Sequence, residues 1–178
     1  MGIIKKGVIM KFNQKIAVIT GGSRGLGKNI ALRLAAYGAD AIITYHSRKD
    51  EADAVVSEIE THDQKALALQ LNVADTTSFD GFMHQVSNAL KDKWGRDKFD
   101  FLINNAGIGA TATIAQTTEE IFNSLFNVHF KGVYFLTQKA IPLINDNGCV
   151  INISSGLTRF TLPGYSAYAS MKGAVDTF

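Results

Sequence analysis

KIAVITGGSRGLG, residues 15–27, is the stretch on which the fold turns. Lys15–Thr20 is a short, continuous apolar run, the pattern of a strand buried on both faces of a parallel sheet. It stops in a glycine-rich turn, Gly21-Gly22-Ser23-Arg24-Gly25-Leu26-Gly27, and a helical pattern begins shortly after, with Ile30, Leu32, Leu34 and Ala35 over Asn29–Tyr37. Gly38 ends it. Glycines at such a junction let backbone N–H groups come close to a phosphate, and the helix start adds a favourable potential for negative charge. The same glycines can also do no more than close a strand–helix unit.

The alternation continues outward from this unit. Ala41–Tyr45 reads as a second strand, and Lys49–Thr61 as a helix with Ala52, Val55, Val56 and Ile59 on one face. Ala66–Leu71 is a third strand, and Thr76–Trp94 a helix carrying Phe79, Phe82, Met83, Val86 and Leu90 inward. Asp100–Asn104 is a fourth strand. Thr117 to Glu120 supply a threonine cap with acids in the first turn of one long helix, or two in succession, reaching about Ile144 with Pro142 near the end. Gly148–Ile153 is a fifth strand, and a last helix starts near Tyr165 and still runs at Phe178. Five strands separated by helices long enough to cross back predict an α/β fold with a doubly wound parallel sheet in a single domain, residues 1–178. Residues 1–10 are expected to form a flexible extension.

Composition narrows the function classes. The net charge of +2 is too small and too dispersed for nucleic-acid binding. No apolar run is long enough to cross a bilayer, so no membrane partner is expected. Cys149, the single cysteine, suits a reducing cytoplasm. No metal site is expected. Gly22–Lys28 also spells G-x-x-x-x-G-K, close to a nucleotide-hydrolysing P-loop, but Asn29 stands where a Ser or Thr must meet Mg²⁺.

Four stretches in order carry a more specific pattern: Thr20-Gly21-x-x-x-Gly25-x-Gly27, Asn104-Asn105-Ala106-Gly107, Ser155 after the fifth strand, and Tyr168-Ala169-Ser170-Met171-Lys172. Together they resemble the short-chain dehydrogenase/reductase family over essentially residues 11–178. The resemblance implies a Rossmann-type fold and a hydride transfer between a nicotinamide dinucleotide and a small-molecule carbonyl or alcohol. It implies Ser155, Tyr168 and Lys172 as catalytic residues. For the cofactor it implies Gly21, Ser23, Arg24, Gly25, Leu26, Gly27, Arg48, Asn72, Val73, Asn104, Ala106, Gly107, Tyr168 and Lys172. It also implies a homo-oligomer, dimer or tetramer, through the long and last helices, where Phe122, Phe126, Phe130 and Tyr134 offer apolar support. Relatives usually continue beyond the last helix, so the final strands of the sheet are expected to be missing and the edge of the fifth strand bare.

The residues themselves explain the chemistry. Tyr168 and Lys172 are four apart on a helix and share a face. A phenol is a poor base at neutral pH, and an ammonium beside it favours the phenolate. In the other direction the phenol donates its proton to a carbonyl oxygen. The stretch Thr44-Tyr45-His46-Ser47-Arg48 after the second strand holds no acid to grip ribose hydroxyls, whereas Arg24 and Arg48 suit a 2′-phosphate, so NADP(H) is expected over NAD(H). One position departs from the family. His129, in Val128-His129-Phe130-Lys131-Gly132, occupies the place of the usual asparagine, and Asn127 lies about 200° away around a helix. An imidazole there either relays protons or packs. The alternative to an enzyme is a dinucleotide-binding sensor or assembly domain on the same scaffold.

Overall fold

The structure is a computed structural model that describes residues 11–178; the expected N-terminal extension, 1–10, lies outside the described residues. Five strands, β1 (Ile16–Ile19), β2 (Asp40–Tyr45), β3 (Ala66–Gln70), β4 (Phe99–Asn104) and β5 (Ile144–Asn152), form one parallel sheet in the order β3-β2-β1-β4-β5. The helices are α1 (Gly25–Ala36), α2 (Lys49–Glu60), α3 (Phe79–Ala89), α4 (Glu119–Phe126), α5 (Gly132–Ala140) and α6 (Ser166–Asp176). The α/β architecture with its doubly wound sheet is the one the alternating pattern predicts.

Strand periodicity builds two cores. Ile16, Val18, Ile42 and Leu102 point to one face and meet Phe79, Phe82, Val86 of α3 and Leu136 of α5. Ala17, Ile19, Ala41, Ile43 and Ile103 point to the other, where Ala31 and Ala35 of α1 and Val55 and Ile59 of α2 cover them. Burial on both faces explains why these strands read as unbroken apolar runs. The exception is β5, which closes one edge of the sheet and exposes Val150 and Ile151.

Several elements differ in detail from the sequence expectation, among them the Thr76–Trp94 helix, which divides into a 3-10 turn, α3 and a π turn at Leu90–Trp94. First, α1 begins at Gly25, four residues before its apolar pattern shows, because its first turn is built of Gly25, Leu26 and Gly27 and buries little side chain. Second, β5 begins at Ile144, which pairs with Phe99; an irregularity follows, with Asn147 at φ +66°, and pairing resumes at Cys149 opposite Phe101. Asn145-Asp146-Asn147-Gly148 reads as a turn in sequence, and a bulge hides in it. Third, of one long helix or two in succession the structure has two, α4 and α5, separated by a π turn, Asn127–Lys131. Hydrophobic spacing does not announce such turns, which cluster at functional sites. Fourth, α6 ends at Asp176, two residues short of Phe178. Gly132, just after the π turn, is needed for packing: a Cβ there would collide with the backbone oxygen of Val73.

Candidate active site

Sheet order reverses at β1, with β2 on one side and β4 on the other, and a cleft opens across the C-terminal ends of these strands. The loop Thr20–Arg24 forms its floor. Gly21 takes φ +66°, and a Cβ on Gly27 would fall onto the Gly21 carbonyl oxygen, so α1 can approach this loop only as glycine. No side chain caps the start of α1, and its first turn holds no acid. The first N–H groups of a helix have no intrahelical partner, so this start presents open donors to the cleft. Two residues outside the expected set hold the floor in place. Thr20 Oγ1 accepts from the backbone N–H groups of Asn105 and Ala106 at 2.9 and 3.0 Å, and Asn105 Nδ2 donates to Thr20 O at 2.8 Å. A polar Thr closing an otherwise apolar strand was the signal available for them.

The cleft has a volume of 870 Å³ and spans both ends of the proposed chemistry. Arg24, His46, Ser47 and Arg48 line one end; Ser155, Tyr165, Tyr168 and Lys172 line the other. Gly21, Ser23, Gly25, Leu26, Asn72, Val73, Ala106 and Gly107 lie along it as well. Arg48 Nη1 is held by Glu51 Oε1 at 2.6 Å, on the exposed surface. Two residues of the expected cofactor set do not line the cleft. Gly27 is buried beneath the loop. Asn104 points inward, donating through Nδ2 to Thr137 Oγ1 at 3.0 Å and Asn152 Oδ1 at 2.8 Å, so its side chain ties β4 to β5 and α5.

At the far end, α6 carries Tyr168 and Lys172 on one face, with Lys172 Nζ 5.9 Å from the centre of the Tyr168 ring. Lys172 is 5% exposed, and its ammonium donates to Ile153 O, just past β5, at 2.6 Å. Burial lowers its pKa from the ordinary lysine value, with Asp176 one turn on acting the other way. Ser155 Oγ accepts from Leu157 N at 3.2 Å, which leaves its own proton free to donate. His129, brought inward by the π turn, is 2% exposed and stands edge-on to the Tyr168 ring at 5.0 Å. Burial lowers its pKa, the Ile108 carbonyl raises it and Lys172 lowers it further.

A family profile described as short chain dehydrogenase matches residues 15–178. The chain belongs to the short-chain dehydrogenase family. This short-chain dehydrogenase is 37% identical over 166 residues to an uncharacterized oxidoreductase of Methylorubrum extorquens, covering 93% of this chain and 64% of that protein. It is 34% identical over 163 residues to a 3-oxoacyl-acyl-carrier-protein reductase of Staphylococcus aureus, covering 90% of this chain and 64% of the relative. Thus it spans less than two thirds of the curated relatives it matches. Among solved structures, the landomycin C-6 ketoreductase LanV with bound NADP and rabelomycin superposes with a TM-score of 0.90 at 32% identity, covering 93% of this chain and 68% of that one. A short chain dehydrogenase from Burkholderia cenocepacia in complex with NADP gives 0.85 at 35% identity, covering 93% and 65%. Among the described residues no helix is long and apolar enough to cross a membrane.

Proposed function

We propose that this chain is the cofactor-binding and catalytic part of an NADP(H)-dependent reductase or dehydrogenase that interconverts a carbonyl and an alcohol. The observation that carries the reading is one continuous cleft joining an uncapped helix start to the Tyr168–Lys172 pair. Its residues fit the cofactor. The open N–H groups at Gly25 to Gly27 suit a pyrophosphate, and the glycine floor leaves it room. Exposed Arg24 and Arg48 at the entrance suit a 2′-phosphate, a preference in keeping with the NADP held by two of the similar structures.

Bound NADP(H) supplies or takes the hydride. Ser155 Oγ–H donates to the substrate oxygen and orients it. Tyr168 Oη gives that oxygen a proton during reduction and takes it back during oxidation. Lys172 favours the phenolate electrostatically and has two hydrogens beyond the one given to Ile153 O, enough to reach a ribose hydroxyl as well. The substrate is a small molecule with a carbonyl or an alcohol. A cytoplasmic setting and self-association complete the reading, supported by the single free thiol of Cys149 and by Phe122 and Tyr134 exposed along α4 and α5.

The test is a fluorescence titration with NADPH and NADH side by side, followed by turnover on a panel of ketones and alcohols. Tighter NADPH binding with turnover that disappears in Tyr168→Phe is the expected result. Tight binding without turnover on any carbonyl would leave a dinucleotide sensor in its place.

A further inference from the structure

His129 has a hydrogen-bonding arrangement that simple packing does not require. Its Nε2 lies 2.7 Å from Ile108 O and 3.2 Å from Ile108 N. One ring nitrogen cannot donate to the first and accept from the second, and the shorter contact requires an N–H. Nδ1 is then a bare acceptor; it is sealed from solvent and has no partner among the described residues. The opposite tautomer would set a lone pair against the Ile108 carbonyl and leave an N–H unpaired. Double protonation would put a second cation beside the Lys172 ammonium in a dry site. The shorter contact favours the neutral Nε2–H form, in which the Ile108 N–H does not keep Nε2 as its acceptor. The ring also occupies space that only glycine leaves open, since a Cβ on Gly107 would sit 2.8 Å from His129 Cε1.

Two parts of the site meet on this ring. One edge holds Ile108, in the loop after β4 that lines the cleft beside Gly107 and Gly109. The ring stands at 84° to the Tyr168 ring, with centroids 5.0 Å apart. We infer that His129 is a positioning residue, a tautomer-locked clamp that ties the Ile108 loop to the Tyr168 phenol and so sets the reacting end of the cleft. This deepens the proposed reductase and rests on that reading for its kinetic consequences. The ionisable groups facing the imidazole are Tyr168 and Lys172 of α6; the Ile108 loop contributes backbone.

Two variants separate a clamp from packing. His129→Phe keeps the aromatic volume beside Tyr168 but removes the donor to Ile108. His129→Gln removes the aromatic ring and restores an N–H at similar reach. A clamp predicts that His129→Phe lowers kcat on a model ketone about tenfold or more, the scale of a small misplacement at a reacting centre. NADPH affinity should stay within about twofold and the Phe variant should remain folded by circular dichroism, while His129→Gln recovers most of the rate. The reverse order, with Phe active and Gln impaired, would overturn the clamp in favour of packing. A second readout needs no turnover: ¹⁵N NMR of the imidazoles in the purified protein, with His129→Gln assigning the signal. The expected spectrum shows His129 as the Nε2–H tautomer at about pH 8, with protonation only at a pH below the ordinary histidine pKa. An Nδ1–H tautomer, or titration at the ordinary histidine value, would overturn the inference even if the protein turned out to bind cofactor without reducing anything.

Discussion

At the N-terminal ends of β1 and β4, Asp100 is 2% exposed and fully served. It accepts from Ile16 N, Lys15 Nζ and Asn145 Nδ2, each at 3.0 Å, and pairs with Arg96 Nη2 at 3.3 Å. At the C-terminal ends of the same sheet, Lys172 is also buried, yet among the described residues its ammonium has one carbonyl and His129 Nδ1 has no partner. Both ends bury charge or polarity at a desolvation cost. The first end recovers it within the protein, and the second leaves capacity open. Asp100 is saturated by its neighbours, whereas Lys172 and His129 keep hydrogen-bonding capacity of the kind the proposed chemistry requires.

This contrast implies opposite responses to substitution at the two ends. The largest effect belongs to Tyr168→Phe, expected to lower kcat about 10²–10⁴-fold, the usual worth of a positioned acid/base. Its thermal midpoint should stay within about 2 °C of the parent, since one hydroxyl at a half-buried site carries little stability. Calorimetry and steady-state kinetics on one preparation would read both. Asp100→Ala is expected to do the reverse: about 3 kcal/mol lost in denaturant unfolding, because a buried N–H of Ile16 and two cations lose their acceptor.

The Asp100 contribution has a defined pH window. Burial alone would push its carboxyl up, but the Ile16 N–H, Lys15, Asn145 and Arg96 outweigh this and hold it below the ordinary value. A depressed folded-state pKa stabilises fully above the unfolded pKa of about 4 and is lost as pH falls through the folded value. The gap between parent and Asp100→Asn in urea titrations should therefore shrink as pH falls below about 4.

Thr20→Val comes next. It removes the acceptor of two N–H groups at the cleft floor and is expected to cost about 2 kcal/mol in urea unfolding and to weaken NADPH binding. The smallest effect on stability carries the opposite sign. Burial depresses the Lys172 pKa, so its charged form is a burden on the fold at neutral pH, relieved as pH rises through the folded value. Lys172→Met is expected to gain about 1 kcal/mol or lose nothing while abolishing turnover. A clear loss of stability would show that this end of the sheet is held together like the other.

Much of the fold was legible because burial on both faces writes itself as apolar runs, Ile16–Ile19 and Asp40–Tyr45 most plainly, while the edge strand β5 showed only its apolar second half, Cys149–Ile151. The early start of α1, the bulge around Asn147 and the π turn at Asn127–Lys131 were not legible. Each is a backbone event with no side-chain periodicity of its own. In the cleft, the glycines, Ser155, Tyr168 and Lys172 stood out by residue type and spacing. Thr20 and Asn105 stood in the same motifs without a role, since that role depends on two loops 85 residues apart meeting.

By itself, the order of residues determined the layering and the strand–helix alternation, because those follow from local pattern, and it singled out Ser155, Tyr168 and Lys172 by residue type and spacing. Only the tertiary structure decided which of them share a cleft, that Asn104 turns away from it, and that the His129 ring meets both Ile108 and Tyr168. Those outcomes depend on contacts between segments far apart in the chain, where packing and desolvation act and local preference has no say.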